Sequence, residues 1–215
     1  MTEMILSETW VTIYMTLIST AIAYLLGLPM GIILAVTAND GIKPNRFING
    51  VLGVIVNIIR SIPFLILIIA IQPFSKLVVG SMMGNNATIV GLVVAAAPFV
   101  ARLVETSIKE IDPGVIEAAQ SMGATRWQII RKVMLVEAKP SIMLGSVVAV
   151  ITLLGYTAMA GLIGGGGLGT IALNYGLYRF DPQTMWIAIA VLVLVVQLFQ
   201  VVGMKIAKRA DNRNN

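Results

Sequence analysis

Chemistry in this chain proceeds without two common reagents, because its 215 residues include neither cysteine nor histidine. Disulfides, thiolate or imidazole metal sites, and triads built on either residue are thereby excluded. What remains is a few polar side chains set in apolar sequence. Arg60 lies near the middle of one apolar run, three residues before Pro63. A charge there costs about 2.5–3.5 kcal/mol on insertion scales, so Arg60 is expected to face a water-filled cavity or a partner inside a bundle. Pro63 removes a helix hydrogen bond and frees a carbonyl. Arg60, Ser61 and Pro63 thus read either as a kinked pathway helix or as a helix break where Arg60 pairs with carbonyls. Tyr156, Thr157 and Met159, after Gly155, could form a yielding gate, since Met adapts to irregular contacts, or could simply pack a helix. The third feature is a polar interruption, Glu117-Ala118-Ala119-Gln120-Ser121-Met122-Gly123. Nothing inside a bilayer needs it.

The elements that position these residues follow from composition. Hydrophobic residues make up 58% and charged residues 12% of the chain, against about 25% charged in soluble domains. The mean hydropathy is +0.92. The apolar residues come in blocks, which predicts an all-α polytopic membrane protein. Five blocks are long enough to cross about 30 Å of hydrocarbon: about 10–37, 47–71, 87–104, 141–160 and 185–204, with interruptions at Arg60–Pro63 and at Pro98. The organisation expected is an external N-terminal segment at 1–9, a membrane domain at 10–204 and a cytoplasmic tail at 205–215. Glu3 and Glu8 precede the first span without a Lys or Arg, unlike a cleavable signal peptide, so that span is expected to stay.

Loop charge orients the spans. Lys43 and Arg46 lie between spans one and two; Lys109, Arg126, Arg131, Lys132 and Lys139 lie between three and four; Lys205, Lys208, Arg209 and Arg213 follow span five. The opposite side holds only Lys76 and Arg179. The positive-inside rule then puts the N-terminus outside and the C-terminus in the cytoplasm. The net charge of +5 fits loops facing an anionic leaflet and predicts no nucleic-acid partner.

The longest cytoplasmic loop, about 105–140, reads as structured. Asp112 can cap a helix whose first residue is Pro113. Val115 to Met122 continue it, and Gly123 suits the left-handed position that ends it. Thr125-Arg126-Trp127-Gln128 fits a capping box opening a second helix through Ile129, Ile130, Val133 and Met134 towards Pro140.

This loop resembles the one in permeases of binding-protein-dependent ABC importers, whose motif runs Glu-Ala-Ala, three residues, Gly, nine residues, Ile-x-Leu-Pro. Glu117, Ala118, Ala119, Gly123 and Leu135 match in register, Val133 stands for the Ile, and Val136 for the Pro. Pro140 is expected to take over the bend. The resemblance implies a type I importer permease fold with five transmembrane helices, in which Glu117, Ala118, Ala119, Gly123 and Arg126 belong to a coupling helix docked on a separate ATPase subunit, the two alanines giving a flat surface and Glu117 a charge for a partner's donor. Arg60-Ser61-Ile62-Pro63-Phe64, the segment Ala96–Arg102, and Gly155-Tyr156-Thr157-Ala158-Met159 followed by Gly164–Gly169 are similar to the methionine-import permeases. That family implies a homodimer, two cytoplasmic ATPases, an external methionine-binding lipoprotein and a bacterial inner-membrane location.

Other features constrain function by exclusion. Gly164, Gly166 and Gly169 fit GxGxxG by count, but no strand–helix context surrounds them, so a tight re-entrant turn is expected in place of a dinucleotide site. Gly27 and Gly31 form a small-xxx-small pair suited to close helix packing. Glu105 and Lys109 read as a solvated i,i+4 pair. No G-x-x-x-x-G-K-[ST] occurs, so this chain is expected to be a non-enzymatic subunit without cofactor or metal, its ATP hydrolysed elsewhere. The alternatives are the same architecture carrying another small amino acid, an osmolyte or an oxyanion, or an ion-coupled carrier. The latter wants acidic relays inside its spans.

Overall fold

A computed structural model describes residues 1–210; positions 211–215, the end of the expected tail including Arg213, lie outside the described residues. Among the described residues, four helices are long and apolar enough to cross a membrane: α1 (Thr2–Thr37), α5 (Asn85–Lys109), α9 (Lys139–Thr157) and α11 (Pro182–Ala210). A fifth span is broken, with α2 (Arg46–Ser61) and α3 (Phe64–Ala70) meeting at 106°. Pro63 is the reason. It caps α3 from extended ψ and cannot donate into the preceding turn. The short helix α4 (Gln72–Val79) then leads towards α5.

α1 begins at Thr2, so the first residues are helical and continuous with the first span. Its 36 residues measure about 54 Å. Ile5 is buried with Leu168, Ile171 and Ala188, which holds the extra turns in place. One expectation is corrected here: Pro98 does not interrupt the third span, since α5 runs unbroken through it. Packing over-determines that segment: Ala96, Ala97, Val100 and Ala101 are all buried around the proline.

The α1–α5 seam is the centre of the molecule. Along α1 the buried positions Thr12, Thr16, Thr20, Ala23, Gly27 and Gly31 recur every three or four residues, making one narrow stripe of small side chains. Each threonine hydroxyl donates to the carbonyl four residues earlier, at 2.9, 2.8 and 2.7 Å, whereas the buried Ser19 hydroxyl beside them has no partner among the described residues. At Gly27 and Gly31 the α5 backbone comes so close that a Cβ would stand 2.6 Å from the Ala97 carbonyl and 2.5 Å from that of Ala101. The glycine pair is therefore used for packing within the chain.

Candidate functional site

Three groups of residues sit along this frame. The first is a knob at the C-terminal end of α1. Asp112 accepts a 2.8 Å hydrogen bond from the Gly114 amide and opens α6 (Pro113–Ser121). The helix closes as a Schellman motif: the Ala124 amide donates to Ala119 (3.1 Å) and the Gly123 amide to Gln120 (2.9 Å). Gly123 takes φ +78°, and a Cβ there would meet nothing within 4 Å. The capping box forms as well, with the Thr125 amide donating to Gln128 Oε1 (2.8 Å) and the Gln128 amide to Thr125 Oγ1 (3.4 Å). The second helix starts as α7 (Arg126–Gln128), widens into a π-helical turn at Ile129–Met134, and ends as α8 (Leu135–Glu137). Ala138 joins α8 to α9 in helical backbone conformation, with Pro140 in the first turn of α9.

Glu117, Ala118, Met122, Gly123, Arg126 and Trp127 are exposed on the knob. Of the two alanines expected to give a flat outer surface, only Ala118 faces out. Ala119 is buried in the main core with Ile111, Ile129 and Met134, where any larger side chain would lift the helix. Glu117 and Gln120 line a recess of about 350 Å³ with Asp40 and Lys109.

The second group surrounds the broken span. Arg60 is in the last turn of α2, where a cation meets the negative end of the helix dipole. It lines two cavities, one of about 250 Å³ with Phe64, Phe99 and Tyr156, the other of about 330 Å³ with Arg102, Glu110 and Ser141. The Tyr156 ring stacks on Phe64 with centroids 4.4 Å apart and planes 3° from parallel, bridging α9 to α3. Structure thus brings Arg60 and Tyr156 to one cavity. The other residues singled out do not join them: the Ser61 hydroxyl donates to the Asn57 carbonyl, Pro63 shapes the bend, Thr157 is buried and donates to Leu154, and Met159 is exposed.

One reading of the sequence is overturned nearby. Glu105 is 5% exposed, not half of a solvated pair. Its carboxylate receives Arg102 at 2.6 Å and Lys109 at 2.8 Å. Arg102 also donates to Asn57 Oδ1 at 2.8 Å, tying α5 to α2. Spacings of three and four put Arg102, Glu105 and Lys109 on one face of α5, where Glu105 is buried and the two cations reach it from more exposed positions. The isolated Asn57 in apolar α2 was the legible sign that a polar partner awaited it.

The third group is the glycine loop at the N-terminal end of α1. After a 3₁₀ turn at Ala160–Ile163 the loop leads into α10 (Leu168–Leu173). Side chains of other helices satisfy its amides: Gly166 donates to Asn85 Oδ1 (2.7 Å), Gly167 to the Glu8 carboxylate, and Leu168 to Thr12 Oγ1 (2.9 Å). With the amides taken by the protein's own carboxylate and amide, a phosphate has no place there. The loop is a tight turn, as its context predicted. Sequence reasoning missed Glu8 and Asn85, although a carboxylate four residues before a buried threonine on one helix face was visible.

Comparison with known proteins follows this geometry. Residues 27–213 match the family model described as binding-protein-dependent transport system inner membrane component. The chain is 46% identical over 211 residues to a probable D-methionine transport system permease of Vibrio cholerae, covering 98% of this chain and 94% of the relative. It is 43% identical over 181 residues to a methionine import system permease of Bacillus subtilis, covering 84% and 82% respectively. Among solved structures, a chain of an inward-facing methionine ABC transporter superposes with TM-score 0.95 at 41% identity, covering 97% of each chain.

Proposed function

The chain belongs to the family of binding-protein-dependent transport system inner membrane components, and from that premise we propose that it is the membrane-spanning subunit of an ATP-driven importer of methionine. Its fold is the all-α, type I ABC importer permease fold. The observation that carries the proposal is the rigid knob, whose exposed face holds Glu117, Ala118, Gly123 and Arg126 while Ala119 anchors it from beneath. Relatives named for methionine or D-methionine transport supply the cargo.

In this reading the permease spans a bacterial inner membrane with its N-terminus outside and the knob in the cytoplasm, as the loop charges favour. Two copies associate, because five spans are few to enclose a route, and the pathway runs along their interface past Arg60, Ser61, Pro63, Tyr156, Thr157 and Met159. Two ATPase subunits receive the knobs, and an external methionine-binding lipoprotein delivers cargo. The chain has no phosphate-binding loop of its own, so hydrolysis belongs to the ATPases. ATP draws the ATPases together, the knobs follow, and the permease pair opens outward; hydrolysis restores the inward-facing state. Nucleotide can drive this cycle only because its contacts differ between the two states. Arg60 and the stacked Tyr156–Phe64 pair lie at the broken helix, where a small rotation of α3 against α9 would change access to the cavity.

Radiolabelled methionine uptake by cells carrying this permease with its ATPase and binding protein, and no other methionine importer, tests the reading. Uptake competed by unlabelled methionine is expected. Uptake competed only by a different amino acid or an anion would assign another cargo to the same architecture.

A further inference from the structure

A cavity not yet described lies between α1 and the second helix of the knob. A groove of about 710 Å³ runs along the C-terminal half of α1 and is closed at one end by the start of α2 and by α7 with the π-helical turn. Its wall is a stripe of Leu28, Ile32, Ile33 and Val36, apolar along nearly its whole length. Charge appears at one end only. Lys43, from the α1–α2 linker, and Arg131, from the π-helical turn, line the cavity there with the exposed Trp127, and no acidic residue lines it among the described residues. Hydrogen bonds around the α1–α2 linker build the mouth. The Lys43 amide donates to Val36 and the Asn45 amide to Thr37, folding the linker back over the helix end. Asn49 Nδ2 donates to the Leu34 carbonyl at 2.8 Å, fixing α2 against α1.

We propose that this groove binds an anionic phospholipid, with an acyl chain along the α1 wall and the phosphate headgroup between Lys43 and Arg131. The occupant follows from the arrangement. An apolar trough on a membrane-spanning helix has hydrocarbon as its medium, and two cations without an acid select a negative headgroup from it. Trp127 suits that boundary, since its ring is apolar and its N–H polar. The volume is within the roughly 300–1,000 Å³ of pockets that bury a ligand. Trp127 and Arg131 belong to the second helix of the knob, so the lipid becomes part of what positions it. Placing the headgroup in the cytoplasmic leaflet rests on the orientation proposed above, whereas lipid selectivity does not.

The test uses the full chain purified in detergent and native mass spectrometry with phosphatidylglycerol or phosphatidylcholine of identical acyl chains. Preferential retention of phosphatidylglycerol is expected. The double variant Lys43→Gln/Arg131→Gln should lower that preference about thirtyfold, about fivefold for each cation. Lys76→Gln, at the other side of the molecule, should leave it unchanged. Equal retention of both lipids, or a preference surviving the double variant, would overturn the proposal. A photocrosslinker at Ile33, in otherwise unaltered protein in native membranes, should capture lipid; capture of a second copy of the chain or of a protein partner instead would overturn it. Neither readout requires transport, so loss of lipid selectivity and loss of the import function are separable results.

Discussion

Substituting alanine for glycine should have opposite signs at two places on the same chain. On the α1–α5 seam, a Cβ at Gly27 would lie 2.6 Å from the Ala97 carbonyl and 2.7 Å from Val100 Cβ. At Gly31 the corresponding distances are 2.5 Å to the Ala101 carbonyl and 2.7 Å to Val104 Cβ. Ordinary contact needs about an ångström more. The obstacles are backbone and Cβ atoms, which no rotamer change can move, so the helices must separate. Overpacking of this kind costs about 1–3 kcal/mol per site. Because Gly27 and Gly31 are one turn apart, one displacement relieves both, and the double variant should cost less than the sum. In α2, by contrast, a Cβ at Gly50 meets nothing within 4 Å. Alanine there removes the entropic penalty of a helical glycine and should stabilise the fold by up to about 1 kcal/mol. Reversible denaturation in mixed micelles, followed by far-ultraviolet circular dichroism, measures all three. Unchanged stability in Gly27→Ala/Gly31→Ala would refute the seam as described, since no slack exists there to absorb a methyl group.

Three further outcomes are expected. Glu105→Gln leaves Arg102 and Lys109 without their shared carboxylate; both cations are partly solvated, so a loss of about 1–3 kcal/mol is expected in the same denaturation assay. Arg60→Ala should assemble normally yet lower methionine uptake by more than tenfold, and normal uptake would remove Arg60 from the pathway. Asp181 accepts both the hydroxyl and the amide of Thr184, and the hydroxyl bond first, then the amide bond, holds its carboxyl below the ordinary 3.8. A lowered value means that the contribution is complete above the ordinary carboxylate range and fades only as pH falls through the folded value. Hydrogen exchange at the Thr184 amide should therefore stay slow at pH 5 in the native chain and quicken at that pH in Asp181→Ala.

The legible parts of this structure were those written in local sequence. Asp112-Pro113, Gly123 and Thr125-x-x-Gln128 each specify a cap or a turn within four residues, and the knob formed as they dictate. Apolar block length likewise located the spans. Pairings between distant segments were less visible. Glu105 looks solvated beside Lys109 until Asn57, 48 positions earlier in the chain, brings α2 over the same face. Pro98 looks like a break because a sequence shows the lost hydrogen bond but not the packing around it. Ala118 and Ala119 are alike in type, and only the tilt of α6 on the core decides which one faces out. Glu8 is bonded to Gly167, a pairing across most of the chain that local sequence does not show.

The central claim is that the knob transmits work from a separate ATPase. Gly123→Asp isolates it, because the chain has open space around this position and only the left-handed backbone resists, at about 1–2 kcal/mol. Methionine uptake is to be measured in vesicles holding the native or the Gly123→Asp permease with its ATPase, binding protein and ATP, after equal membrane insertion has been verified. Uptake in the native vesicles that needs both ATP and the ATPase, and at least a tenfold loss in the variant, is the predicted result. Full uptake by the variant, or uptake by the permease with no ATPase present, would contradict the account.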